Sequence, residues 1–154
     1  MPSRRTADPI DLAVLHALHR DPDATTLAIA ESTGLARNTV RSRLQRYAAE
    51  ASLHGFDRRI DPAFLGYPLQ AYILTKVTQR KLRRVSDELA LIPEVLAVHG
   101  LSGVSDLLVQ AVARDADDLY RVAGKVLAVD GVKRTNTGLV MQSLVDYRVM
   151  QLAR

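Results

Sequence analysis

The spacing of apolar residues changes period near residue 69, and that change narrows the folds open to this chain. Before it, apolar positions recur every three or four residues, the period of helices that bury one face. Ile10, Val14, Leu15 and Leu18 form one stripe, Leu27, Ile29 and Ala30 supply a second, and Val40, Leu44 and Tyr47 form a third. After it, runs of strand formers alternate with helical segments. LQAYILTKV at 69–77 reads as a strand, and 80–91 reads as a helix stopped by Pro93. Strands follow at 95–101 and 107–113, joined by the turn residues 102–106. Asp115 caps a further helix, which ends near Asp130 and Gly131, and 132–147 reads as one long last strand. The order β-α-β-β-α-β is the split arrangement of ferredoxin-like domains. Such a sheet carries helices on one face only, and a second copy of the chain is the expected cover for the other.

The helical part has clear punctuation. Asp8 caps the first helix with Pro9 at its first position, and Asp21-Pro22-Asp23 ends it. The second helix starts near Thr25 or Thr26 and stops at Gly34, a residue suited to the left-handed end of a helix. The third spans about 37–49. Between the two parts, 55–68 holds Asp-Pro, Gly-Tyr-Pro and paired arginines, a connector with turns and room for a short strand.

Composition supports a globular chain. Of 154 residues, 47% are hydrophobic and 25% charged, which excludes a disordered tail, a collagen or a coiled-coil rod. No apolar run approaches the roughly 20 residues of a membrane-spanning helix, and the first residues lack the apolar stretch of a secretory signal. There are no cysteines, which excludes disulfides, thiolate zinc sites and cysteine nucleophiles. A soluble, cytoplasmic protein with no membrane partner is the expectation.

The third helix carries the strongest chemical signal. Residues 36–49 hold Arg37, Arg41, Arg43 and Arg46 and no acid, although the whole chain balances 21 basic against 17 acidic residues. Two helices, a short turn with glycine and a third, basic helix form the helix-turn-helix pattern, whose last helix enters the major groove. Arginine grips guanine or phosphate through two donors, while Asn and Gln pair with adenine. The candidate contacts to double-stranded DNA are Arg37, Asn38, Thr39, Arg41, Ser42, Gln45 and Arg46. The expected fold is therefore α+β: an N-terminal (winged) helix-turn-helix domain at 1–54, a linker at 55–68 and a C-terminal ferredoxin-like βαββαβ domain at 69–154.

Other candidates are weaker. His16 and His19 lie three apart on the first helix, but two ligands do not make a metal site, and a histidine at a helix C-terminus is explained by the dipole. His99 reads as a partly exposed strand residue. Ser102, Ser105 and Asp106 lie in one turn, but spacing alone makes no triad. Gly100, Gly103 and Ser105 suit a loop with exposed amides for a small anion, or a plain hairpin turn. Thr135 and Thr137 point to one side of a strand, either as ligand contacts or as ordinary surface threonines. No catalytic residue, metal or cofactor is expected.

The chain resembles the Lrp/AsnC family, the leucine-responsive or feast-famine transcriptional regulators. Asp8-Pro-Ile-Asp-Leu-Ala-Val-Leu15 looks like the family's opening helix, with Ala7 where Leu is usual. Leu35-Ala-Arg-Asn-Thr-Val-Arg-Ser-Arg-Leu44 looks like its recognition helix, with Ala36 where Ser is usual. Glu50-Ala-Ser-Leu-His-Gly-Phe56 is similar to a family stretch in which Gly stands at the position of Ala51. Gly103-Val-Ser-Asp106 resembles the family's hairpin turn, and Val132-Lys-Arg-Thr-Asn-Thr137 the start of its last strand. The resemblance implies a regulator that forms dimers through its sheets, often assembled into octamers, and binds an amino acid or related small molecule. By position it implies effector contacts at Gly103, Ser105, Asp106, Thr135 and Thr137, with Asp106 facing a ligand ammonium. Sirohaem decarboxylases resemble the same two-domain layout, so an enzyme is one alternative. A DNA-coating protein of low sequence preference is another.

Overall fold

The computed structural model describes residues 6–154, so the first five residues of the expected first domain lie outside it. The chain forms two compact units. One comprises the residues up to Arg58 together with Val145–Arg154, and the other comprises Arg59–Leu144. The last ten residues thus group with the helical unit rather than with the sheet.

The first unit is built on α1 (Pro9–Arg20), α2 (Thr26–Thr33) and α3 (Arg37–Ala49). Each start has a physical cause. The Asp8 carboxylate accepts from the Asp11 amide at 2.9 Å, and Asp11 accepts from the Asp8 amide at 3.1 Å, a reciprocal box that satisfies two orphan donors. Thr25 caps α2 by accepting from the Ala28 amide at 3.1 Å. Gly34 ends α2 at φ 70°, where a side chain would be strained. The three apolar stripes meet in one core of Val14, Ala17, Ile29, Ala30, Val40 and Tyr47. At the end of α3 the Ser52 amide donates to the Tyr47 carbonyl at 3.0 Å, the longer bond of a Schellman turn. That turn needs a left-handed residue, and Ala51 supplies it at φ 50°, the one non-glycine with positive φ among the described residues.

The connector holds two 3-10 turns, Phe56–Arg59 and Pro62–Leu65, and no strand. The second unit then runs β1 (Leu69–Val77), α4 (Leu82–Leu89), β2 (Val95–Gly100), β3 (Leu107–Ala113), α5 (Ala116–Ala128) and β4 (Val132–Leu139). A single 3-10 turn, Gln79–Lys81, precedes α4. The sheet order is β2-β3-β1-β4, with every neighbouring pair antiparallel. Alternate residues of β1 (Ala71, Ile73, Thr75 and Val77) are buried, as the two-residue period requires. Ile73 and Val77 join Leu107 and Val109 of β3, Val85 and Leu89 of α4, and Val122 and Val126 of α5 in the second core. Tyr72 and Leu74 lie on the other face of β1, where 38% and 39% of their surface is open.

The last strand is shorter than the composition of 132–147 suggests. It ends at Leu139, paired with Ala71, and the Val140 amide makes one more bond to the Gln70 carbonyl. Among the described residues its one ladder partner is β1, which begins at Leu69 and leaves the residues beyond 140 no strand to pair with. They run on irregularly to a 3-10 turn at Met150–Leu152.

Candidate functional site

The helical unit sorts the basic residues of α3 into two groups. Arg37, Asn38, Arg41, Ser42 and Gln45 are exposed. Their spacing puts them on one side of the helix, opposite Val40 and Leu44. Among the described residues, no hydrogen bond or ion pair holds these five side chains. Thr39 is half-buried beside them. Arg43 and Arg46 turn the other way, toward α1. Arg43 Nη1 donates to Asp8 Oδ2 at 2.6 Å and to Asp11 Oδ1 at 2.9 Å, and Arg46 Nη2 donates to Asp11 Oδ1 at 2.6 Å. The Tyr47 hydroxyl donates to the same oxygen at 2.8 Å. Arg46 thus stands in the predicted contact set while tied to an acid of α1.

Asp11 is the hub of this arrangement, buried with 3% of its surface open. Burial alone would raise its carboxyl pKa. The Asp8 amide, the Tyr47 hydroxyl and Arg43 outweigh burial and hold it well below the usual carboxylate range. Burial and the bond to this carboxylate push the Tyr47 hydroxyl upward. The network fixes the rotation of α3 about its axis, and so fixes which five side chains look outward. The sequence marks Asp8 as a cap; the sign of Asp11 is fainter, an acid three residues after an acidic N-cap.

In the second unit the expected effector residues lie in two places, the loop between β2 and β3 and the edge strand β4, with β1 between β3 and β4. The Asp106 amide donates to the Thr75 carbonyl at 3.0 Å, and the Leu101 amide to the Asp106 carbonyl at 2.8 Å, closing the loop between β2 and β3. Gly103 adopts φ 117° in that loop, with nothing within 4 Å of where a Cβ would sit. Ser105 is half-buried beside it. Thr135 lies across the ladder from Thr75, one row in from the loop, and Thr137 lies across from Ile73, two residues further along. The two threonines share a side of β4, Thr135 half-buried and Thr137 exposed.

Asp106 has an unexpected set of partners. It is buried, and its carboxylate accepts from the Val77 amide at 2.8 Å, from Gln79 Nε2 at 2.6 Å and from Lys76 Nζ at 3.2 Å. The Val77 amide, then Lys76 and Gln79, hold it below the usual carboxylate range against the opposing effect of burial. These donors tie the hairpin loop to the end of β1. Only the register of β1 brings them there, so no local motif revealed them.

The remaining candidates stay apart. His99 is exposed on β2, and His16 Nε2 lies 3.3 Å from the Ala153 carbonyl. No group of three or more metal-ligating side chains occurs among the described residues. No helix among them is long and apolar enough to cross a membrane.

A helix-turn-helix with an outward basic face, joined to a split βαβ unit with an ordered hairpin loop, defines a DNA-binding protein with a separate ligand-binding domain. Residues 8–47 match the AsnC-type helix-turn-helix domain, and 70–150 match the Lrp/AsnC ligand binding domain. The chain belongs to the Lrp/AsnC family of transcriptional regulators. It is 30% identical to the HTH-type transcriptional regulator FL11 of Pyrococcus horikoshii over 136 residues, covering 88% of this chain and 90% of that one. Its fold is that of E. coli AsnC, with a TM-score of 0.83 at 20% identity, covering 95% of this chain and 99% of AsnC. A Neisseria meningitidis transcriptional regulator solved as a complex with L-Met superimposes with a TM-score of 0.79 at 22% identity, covering 92% and 94% of the two chains.

Proposed function

We propose that this regulator reads specific DNA sequences with α3 and that an amino acid or related small molecule modulates its activity. The observation that carries the DNA reading is the row of five outward side chains without internal partners: Arg37, Asn38, Arg41, Ser42 and Gln45. Two long cations and two amide side chains on one face suit bidentate contacts to base edges, each worth about 1–3 kcal/mol of discrimination. Thr39 and Arg46 flank this row, Arg46 with one of its nitrogens committed to Asp11.

The effector reading places a small ligand by the loop that holds Gly103 and Ser105, close to Thr135 and Thr137. The L-Met complex of a protein with the same fold supports the ligand class. Asp106 acts in this reading as the organiser of the loop, because its carboxylate already has three donors. The ligand's ammonium would then meet loop carbonyls, and its carboxylate the loop amides and threonine hydroxyls. A homodimer formed through the open sheet face around Tyr72 and Leu74 would present two α3 helices to half-sites about 34 Å apart, with octamers as a further assembly. The cytoplasm is the matching location, and no catalytic role is proposed.

The test is a salt titration of binding to the DNA upstream of its own gene against scrambled DNA, repeated with each of the twenty amino acids. Selective binding that one amino acid alters is expected. Arg41→Ala should weaken binding about tenfold or more while leaving folding and particle size intact. Equal, weak binding to both DNAs, untouched by any amino acid, would refute specific reading and amino-acid response together.

A further inference from the structure

A cleft of about 730 Å3 lies wholly within the helical unit, between α1, the end of α3 and the returning tail of Val145–Arg154. Its walls are apolar: Leu12 and Leu15 of α1, Leu53 just after α3, and Val149 and Leu152 of the tail. None of the five is fully buried. Leu53, Val149 and Leu152 keep 45%, 47% and 74% of their surface open. The tail thus brings apolar side chains to α1 without filling the space between them. The volume falls within the roughly 300–1,000 Å3 of small-molecule sites.

The cleft also carries polar groups with unused capacity. Asp11 is not among them, because both of its oxygens already have donors. Arg46 gives Nη2 to Asp11, but its Nε stands 3.9 Å from a Glu50 carboxylate oxygen, beyond hydrogen-bond reach. Among the described residues nothing else holds the Glu50 carboxylate, and no side-chain hydrogen bond engages the Ser52 hydroxyl. A guanidinium and a carboxylate therefore stand side by side at an apolar cleft, each short of partners. They match a ligand whose polar end both donates and accepts.

We propose that this cleft binds a short apolar peptide, with its terminal ammonium on Glu50 and its first carbonyl accepting from Arg46 and Ser52. The first residue of a peptide carries an ammonium and a carbonyl next to each other, the donor and acceptor that Glu50 and Arg46 lack. Aliphatic side chains further along the peptide cover the leucine and valine walls and remove them from water. A single amino acid satisfies the polar end but leaves most of the walls wet, and an inorganic ion leaves all of them so. This site is separate from the hairpin loop of the sheet unit. It rests neither on the reading of DNA by α3 nor on the effector reading of that loop.

The experiment is a calorimetric titration of the full chain with L-leucyl-L-leucine, its N-acetyl derivative and free L-leucine. A single saturable site per chain is expected for the dipeptide. Acetylation removes the ammonium and should weaken binding about tenfold or more, and free leucine should also bind more weakly. Glu50→Gln should weaken the dipeptide by a similar factor but leave the acetylated form unchanged, because both changes delete the same contact and their effects do not add. Leu53→Ala should weaken both peptides. Glu50 and Leu53 are exposed, so both variants should keep the helix signal and unfolding midpoint of the parent. The absence of saturable binding would overturn the proposal, as would equal affinity for the dipeptide and its acetylated form. Full affinity in both Glu50→Gln and Leu53→Ala would overturn it too. Loss of dipeptide binding in Thr137→Val, with Glu50→Gln unaffected, would assign the peptide to the sheet unit instead.

Discussion

Replacing Ala51 with glycine should stabilise the helical unit. Ala51 holds φ 50° so that the Ser52 amide can close the end of α3 on the Tyr47 carbonyl. In an L-residue this conformation presses Cβ toward the next carbonyl, a cost of roughly 1–2 kcal/mol that glycine escapes. Glycine gives back part of this, roughly 0.5–1 kcal/mol, through its greater freedom in the unfolded chain. Ala51 is exposed, so removing its methyl sacrifices little packing. The net gain should be about 0.5–1 kcal/mol, or a rise in Tm of roughly 2–8 °C for a unit of this size. Gly34→Ala is the reciprocal control. Gly34 sits at φ 70° with nothing within 4 Å of a Cβ, so the substitution imposes backbone strain alone and should cost about 1 kcal/mol. Both changes can be followed by thermal and urea unfolding at fixed protein concentration, with helix signal as the probe. A neutral or destabilising A51G alongside a costly G34A would refute the left-handed turn at Ala51.

Two further outcomes follow from the buried charges. Asp11→Ala should cost about 3 kcal/mol by urea unfolding, because it takes the shared acceptor from Arg46 and from the buried Tyr47 hydroxyl, while Arg43 keeps Asp8; the low end of the range for a broken buried pair applies, since Arg43 and Arg46 keep 15% and 24% of their side-chain surface open. An unchanged midpoint would show that α1 does not anchor α3. Acid should also destabilise the protein in a defined window. Hydrogen bonds and cations hold Asp8, Asp11, Glu94, Asp106 and Asp118 below their ordinary pKa values. Their contribution is therefore fully present above about pH 5 and is lost as pH falls below about 4 toward the folded-state values. A urea midpoint that stays constant down to about pH 2.5 would contradict these assignments.

What the sequence made legible was whatever local pattern decides. Apolar stripes located α1, α2 and α3, and Gly34 marked the turn between the last two. Strand-forming runs separated by helical stripes placed the βαββαβ order. What it hid depended on partners distant in the chain. Residues 141–147 are within reach of a strand by composition, but whether they pair depends on where β1 starts. Four arginines without an acid look equally available along α3, yet two of them meet acids of α1. Asp106 looks like a free acid at a turn until the register of β1 delivers the Val77 amide to it. The left-handed backbone at Ala51 is hidden for the opposite reason, since alanine gives no local sign of it.

The return of Val145–Arg154 to the helical unit bears on how the protein is made. The sheet unit is, in chain topology, an insertion within the DNA-binding unit. During vectorial synthesis the reading helix emerges early, but its unit lacks its last piece until the whole sheet and the residues after it have been translated. The regulatory domain can therefore fold first, with the domain made earliest being completed last. A graft that transplants only the first 58 residues onto another sensor would leave part of the reading head behind.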